Sequence, residues 1–164
     1  MNAMQLVLGV HDVAYAAQFH TKAGTAKKGK SKAQLAYGAG KSTGEIALIL
    51  EKRYNIMRTF VNMESTGIIA AIEKSMVGSV INMVAGQPGA VDPSAQAMSD
   101  IATTFKDMLS KSAFDGRTSP GRTPTEAARR GVSHRFKRPY ARRPSRPSFI
   151  DTGLYQSSFT AWTE

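Results

Sequence analysis

Between Ile46 and Val84 apolar residues recur at helical spacing over roughly eleven turns of an α-helix, and this restricts the fold more than any other feature of the chain. Ile46, Ile49, Leu50, Met57, Phe60 and Val61 make a first stripe, with Arg53 and Tyr54 filling the gap between Leu50 and Met57. Ile68, Ile69, Ile72, Met76, Val80, Ile81 and Val84 make a second. A period near 3.6 is the mark of a helix with a buried face. Ser65-Thr66-Gly67 stands between the stripes, so the pattern reads either as a break there or as one rod from Thr43 to Ala85. The rod would be roughly 60 Å long at 1.5 Å per residue.

The start of this region raises a question of chemistry. Gly40-Lys41-Ser42 has the form of the second half of a phosphate-binding loop, G-x-x-x-x-G-K-[ST]. The first glycine of that pattern would fall at position 35, which is Leu35. The residues before it include Lys27, Lys28, Lys30 and Lys32, where the motif needs a buried strand. Unpaired charge is costly to bury. Ser42-Thr43-Gly44-Glu45 also has the S-x-x-E form of a capping box, which predicts a helix start at this point.

Other punctuation follows. Gln87-Pro88-Gly89 stops the second stripe. Asp92-Pro93 is read as N-cap and first helical residue of another helix, with Met98, Ile101, Ala102, Phe105, Met108 and Leu109 on its apolar face. A short connection predicts antiparallel packing on the preceding helix. Phe114-Asp115-Gly116 is read as its end. Thr123-Pro124-Thr125-Glu126 is read as a second capping box, opening a short helix that Gly131 closes. Met4 to Val10 suits a short strand or a first helical turn, and His11 to Phe19 could continue as helix. Thr21 to Gly40 reads as a Lys-rich loop.

Charge is unevenly placed. Residues 1–116 hold twelve Lys/Arg and nine Asp/Glu, a net of +3. Residues 117–147 hold nine arginines and Lys137 against Glu126 alone, a net of +9. Residues 148–164 add Asp151 and Glu164, giving +10 for the chain. Pro139, Pro144 and Pro147 favour extended backbone in the basic stretch. The last sixteen residues include Phe149, Leu154, Tyr155, Phe159 and Trp162, so the tail is expected to dock.

Catalytic signals are sparse. His11, His20 and His134 lack metal-ligand spacing, and no serine lies in G-x-S-x-G. Without cysteine there are no disulfides or thiolate ligands. Met57, Met76, Met98 and Met108 sit on helical stripes and read as packing residues. No continuous apolar run approaches the ~20 residues of a membrane span, and Met1 to Val10 lack a basic leader, so a soluble chain is expected. The expectation is a non-enzyme with no cofactor, no metal, no membrane partner and no small-molecule substrate.

The basic stretch has two readings. In one, Arg135, Lys137, Arg138, Arg142, Arg143 and Arg146 follow nucleic-acid phosphates while Phe136 and Tyr140 stack. In the other, it is a strap on an acidic protein surface, where guanidinium forks pair with carboxylates. Arg129 and Arg130 precede it.

The stretch R-P-S-F-I-D-T-G-L-Y-Q-S-S-F, Arg146 to Phe159, resembles the P-x-x-x-x-T-G-x-L/Y-x-x-S element of small minor virion proteins of tailed bacteriophages, including neck and tail-completion proteins. Asp151, Thr152 and Gly153 match its tight turn, and Leu154, Tyr155 and Ser158 its flank. The resemblance runs from about Gly131 onward. In those proteins the turn follows an extended basic segment and leads into a β-hairpin or sheet. Only eleven residues follow Gly153 here, so that sheet is not expected, and the station it implies shifts towards the baseplate end or a strap between tail parts.

The combined expectation is a mainly α protein, a helical hairpin or small bundle with a long central helix, plus an extended basic C-terminal arm. Its parts are 1–41, an N-terminal segment with a Lys-rich loop; 42–116, a helical body; and 117–164, the arm with its aromatic anchor. The resemblance implies a virion structural protein made in the host cytoplasm. It would be present in several copies in a symmetric assembly, with other tail proteins as partners and nucleic acid as the alternative. The residues expected to meet partners are those basic and aromatic ones, with Phe149, Asp151, Thr152, Gly153, Tyr155, Phe159 and Trp162 as anchor. Deleting 117–164 is expected to leave a folded body that fails to assemble.

Overall fold

Asn55 divides the helical region, and its backbone shows how. It sits in the left-handed region (φ 51°, ψ 45°) between α1 (Thr43–Tyr54) and α2 (Ile56–Val84). Asparagine tolerates this conformation better than most residues. Glu51 fixes the break, because its carboxylate accepts from the Met57 amide at 2.8 Å and the Arg58 amide at 3.3 Å. The first turn of α2 is thus capped by a residue of α1. The helix then runs unbroken through Ser65-Thr66-Gly67, so neither the break expected there nor a single rod occurs. At 29 residues, α2 is roughly 43 Å long.

This computed structural model describes residues 5–14, 41–87, 92–118, 123–132 and 143–164. The His11–Phe19 expectation is overturned where it can be followed, since residues 11–14 are not helical, and the rest of it and the Lys-rich loop lie outside the described residues.

The capping box at the start of α1 is present. The Ser42 hydroxyl accepts from the Glu45 amide at 3.3 Å, and the Glu45 carboxylate accepts from the Ser42 amide at 3.0 Å. Thr43, fully buried, holds the N-terminal segment against this helix. Its hydroxyl donates to the His11 carbonyl at 2.5 Å and accepts from the Val13 amide at 2.8 Å.

The third helix, α3 (Ala95–Ser110), buries Ala97, Met98, Ile101, Ala102, Phe105, Met108 and Leu109. It runs antiparallel to α2: Phe60 meets Phe105 at 5.2 Å, while Ser75 donates to the Pro93 carbonyl at 2.6 Å. Asp92 does not cap it. Its carboxylate instead closes a tight turn, accepting from the Ser94 amide and hydroxyl at 2.8 and 2.7 Å, and Ser94 takes the N-cap position. The helix stops at Ser110, before Phe114, whose ring is buried in the core.

The two chain ends close the fold. Leu6–Val10 is β1, Leu154–Ser158 a short helix α5, and Phe159–Thr163 is β2. β1 and β2 pair antiparallel, from Leu6 opposite Thr163 to Val10 opposite Phe159. The Trp162 ring lies over Gly9, where a Cβ would come within 2.7 Å of it. The N-terminal segment is therefore a strand, not a helical turn, and a small sheet does follow the Thr152-Gly153 turn. Its partner strand comes from the other end of the chain, so eleven residues suffice.

Phe105 is the centre of the core. Phe159 stacks on it at 3.8 Å, and Phe60, Phe114 and Tyr155 surround it at 5.2 to 6.4 Å. Tyr155, Phe159 and Ala161 belong to the same buried cluster as α2 and α3. The fold is mainly α with a two-stranded sheet. By length and mean hydropathy α2 is also apolar enough to cross a membrane, although Glu73 and Lys74 interrupt every long apolar run in it.

Candidate functional site

The basic segment leaves the body and returns to it at one place. The short helix α4 (Glu126–Arg129) sets the point of departure. Thr125 caps it, its hydroxyl accepting from the Ala128 amide at 3.2 Å. The expected capping box at Thr123 does not form. Thr123 is buried and belongs to the preceding turn, donating to the Phe114 carbonyl at 2.9 Å and accepting from the Gly116 amide at 3.0 Å. Glu126 is left to clamp Arg129 at 2.6 Å and Arg130 at 2.5 Å. The Arg129 hydrogen bond first, then the charges of both arginines, hold its carboxyl below the ordinary range.

Gly131 follows with φ 63°, and the returning chain crosses directly over it. A Cβ on Gly131 would meet the Pro144 carbonyl oxygen at 2.6 Å and the Arg143 Cβ at 2.8 Å. Arg146 locks this crossing. Its amide donates to the Ala128 carbonyl at 3.1 Å, and its guanidinium donates to the Val132 carbonyl at 3.1 Å and to the Ile150 carbonyl. Asp151 lies 3.5 Å from the same guanidinium. Ser148 adds a further tie, accepting from the Thr125 amide at 3.2 Å and donating to Asp115 at 2.9 Å.

The residues expected to meet partners therefore divide. Arg135, Phe136, Lys137, Arg138, Tyr140 and Arg142 lie outside the described residues. Arg143 and Arg146 form the base of the segment between them. Arg146 and Asp151 face each other within the chain. Thr152 accepts from the Leu154 amide at 3.0 Å, and Gly153 (φ 79°) precedes α5, so both shape a turn. Tyr155 and Phe159 are buried in the chain's own core, which removes them from any partner surface. Phe149 packs edge-on against Tyr54 at 5.0 Å. Trp162 is partly exposed and donates to Glu164 at 3.0 Å. The tail docks as expected, but on its own body. The described parts of 117–164 are helices, turns, a strand and the irregular stretch 143–147, not an extended arm throughout, because Ala128, Ser148, Tyr155 and Phe159 are all buried.

A shallow cleft of about 430 Å³ lies beside this junction, lined by Arg53, Tyr54, Thr123, Pro124, Thr125, Glu126 and Arg129. The Arg53 guanidinium stands over the Tyr54 ring at 5.5 Å. Among the described residues, no group of His, Asp and Glu could hold a metal ion.

Lys41 and Ser42 are placed differently from the end of a phosphate loop, and Gly40 lies outside the described residues. At the start of α1, where a phosphate would sit, the Asp12 carboxylate accepts from the Gly44 amide at 3.0 Å. Hydrogen bonding by the Ser42 side chain, then by that amide, holds the Asp12 carboxyl below the ordinary range. An anion of the chain itself thus occupies the helix start.

Gly131→Ala is expected to loosen the junction. The left-handed backbone and the contact with Pro144 together should cost about 2 kcal/mol or more. Thermal melting and the rate of proteolysis between Val132 and Arg143 would report it; an unchanged melt and unchanged cleavage would show that the crossing is not tight.

These features define a mainly α protein whose ends meet in a small sheet and whose basic segment is fixed at both ends. No protein-family model, curated protein or solved structure matches the chain.

Proposed function

We propose that this chain is a non-enzymatic structural protein of a tailed-phage virion, placed in the tail or at its junctions, that uses its basic segment to tie neighbouring subunits together. One observation carries the reading. The Asp151-Thr152-Gly153 turn leads through α5 into a sheet strand, as the resemblance of this stretch to minor virion proteins implies. The junction at Gly131 and Arg146 adds the means of tying. Residues 133–142 carry Arg135, Lys137, Arg138 and Arg142 with no acid, and both flanks of this stretch are anchored to the folded body. Anchoring the flanks lowers the entropy that a partner must overcome when it orders the stretch between them.

The test alters no residue of the described core. Arg135, Lys137, Arg138 and Arg142 are replaced together by glutamine in the full chain, and the variant is supplied to phage particles during assembly. The melting temperature is expected to stay unchanged while incorporation into purified particles is lost. Normal incorporation would sink the strap reading. If instead the unaltered chain binds duplex DNA with a log–log salt slope near −4, and the variant does not, the segment holds phosphates and the protein is a nucleic-acid-binding accessory.

A further inference from the structure

The far half of α2 carries an apolar surface that no described residue covers. The face of α2 towards α3 is filled by Ile56, Phe60 and Ile68. On the opposite face Ile69, Met76, Val80 and Met83 are exposed, with Val77 and Val84 beside them. Val84 is 84 % exposed and Met83 67 %. The order Ile69, Glu73, Met76, Val80, Met83 advances by four, three, four and three residues. That is the spacing of a seam along which two helices pair, and only Glu73 in it is polar.

From these exposed fractions the six apolar residues present on the order of 600 Å² per copy, at the upper end of what monomers leave uncovered. Two such faces together would bury about 1,200 Å², the lower end of the range for stable protein interfaces. We propose that this face binds the same face of a second copy, so that two α2 helices pair along the Ile69–Met83 seam. A bilayer fits the same residues less well. Glu73 and Lys74 lie in the middle of the apolar stretch, where hydrocarbon penalises charge, and the first half of α2 is already committed to the protein core. Glu73 is the one charge in this seam, so the repulsion between two copies is set mainly by the chain's +10. Added salt should therefore strengthen the pairing by screening the repulsion between whole molecules. A phosphate grip responds in the opposite direction.

The inference stands independently of the virion reading, and its test uses the full chain. Sedimentation velocity up to about 100 μM should show a dimer that persists or grows as salt is raised. Val80→Glu should weaken it at least tenfold, with the circular dichroism spectrum unchanged. The chain has no cysteine, so Met76→Cys provides a second, direct reading. It should oxidise to a linked dimer, since a disulfide requires close backbones. Thr103→Cys, on the exposed side of α3, should not. A monomer at all concentrations, with Met76→Cys linking no faster than Thr103→Cys, would overturn the proposal. So would a monomer taken up by phosphatidylglycerol–phosphatidylcholine vesicles through the Val80 face.

Discussion

Phe105→Ala is expected to produce the largest loss of stability of any single substitution in this chain. Its ring is fully buried and touches four other aromatic rings drawn from α2, the turn after α3, α5 and β2. Removing a buried phenylalanine typically costs about 3–5 kcal/mol. Domains have about 5–15 kcal/mol in total, so this is a large share. For a chain of this size the melting temperature should fall by on the order of 10 °C. Phe105→Leu, which keeps most of the volume, should recover much of the loss. A melt of Phe105→Ala within a few degrees of the unaltered protein would show that the aromatic cluster is not the centre of the fold. The stacked partner, Phe159, makes the same experiment informative about the tail, because truncating it empties the cavity from the other side.

A chain ending at Gly153 should fail to fold cooperatively. The deletion removes Tyr155, Phe159 and Ala161 from the core and all of β2. β1 then loses its ladder, together with the bonds from His11 to Ser158 and between Gln5 and Glu164. Two buried aromatics alone correspond to about 6 kcal/mol or more, within the range of total stability. This reverses what the sequence suggested for deletion of 117–164, and it changes which experiments are informative. A truncation at Gly116 cannot isolate the contribution of the basic segment, because it also removes part of the core. The neutralised 133–142 variant keeps every residue of the described core. A sharp thermal transition for the chain 1–153, close to that of the full chain, would contradict this account of the core.

Glu51 shows why part of the fold escapes a reading of the sequence. A glutamate in the last turn of an apparent helix looks like a solvated charge. In the structure it caps the next helix across Asn55, and it can do so only because the backbone reverses its local hand there. The stripes on both sides of Asn55 were legible, but the junction was not, since helical periodicity continues through it. Thr123 gives a similar lesson. Its spacing to Glu126 is that of a capping box, yet its hydroxyl already accepts from the Gly116 amide while it donates to the Phe114 carbonyl. For the candidate site, the charge block and the docking of the aromatic tail could be read from composition. The crossing of Pro144 over Gly131, and the turning of Arg146 towards Val132 and Ile150, could not.

Local sequence is enough to specify the start of α1 at its capping box, the apolar face of α3, the confinement of basic charge to one stretch, and the docking of the aromatic tail. Each follows from residues within a few positions of one another, or from simple content, and local hydrogen bonding or hydrophobicity is enough to specify it. Packing between distant parts of the chain decided that the first and last strands pair, that Phe105 sits between both halves of the chain, and that no described residue covers the far face of α2. These outcomes depend on which apolar surfaces meet between residues far apart in the chain. That choice is made by the total area buried and the backbone bonds satisfied together, and no local pattern records it.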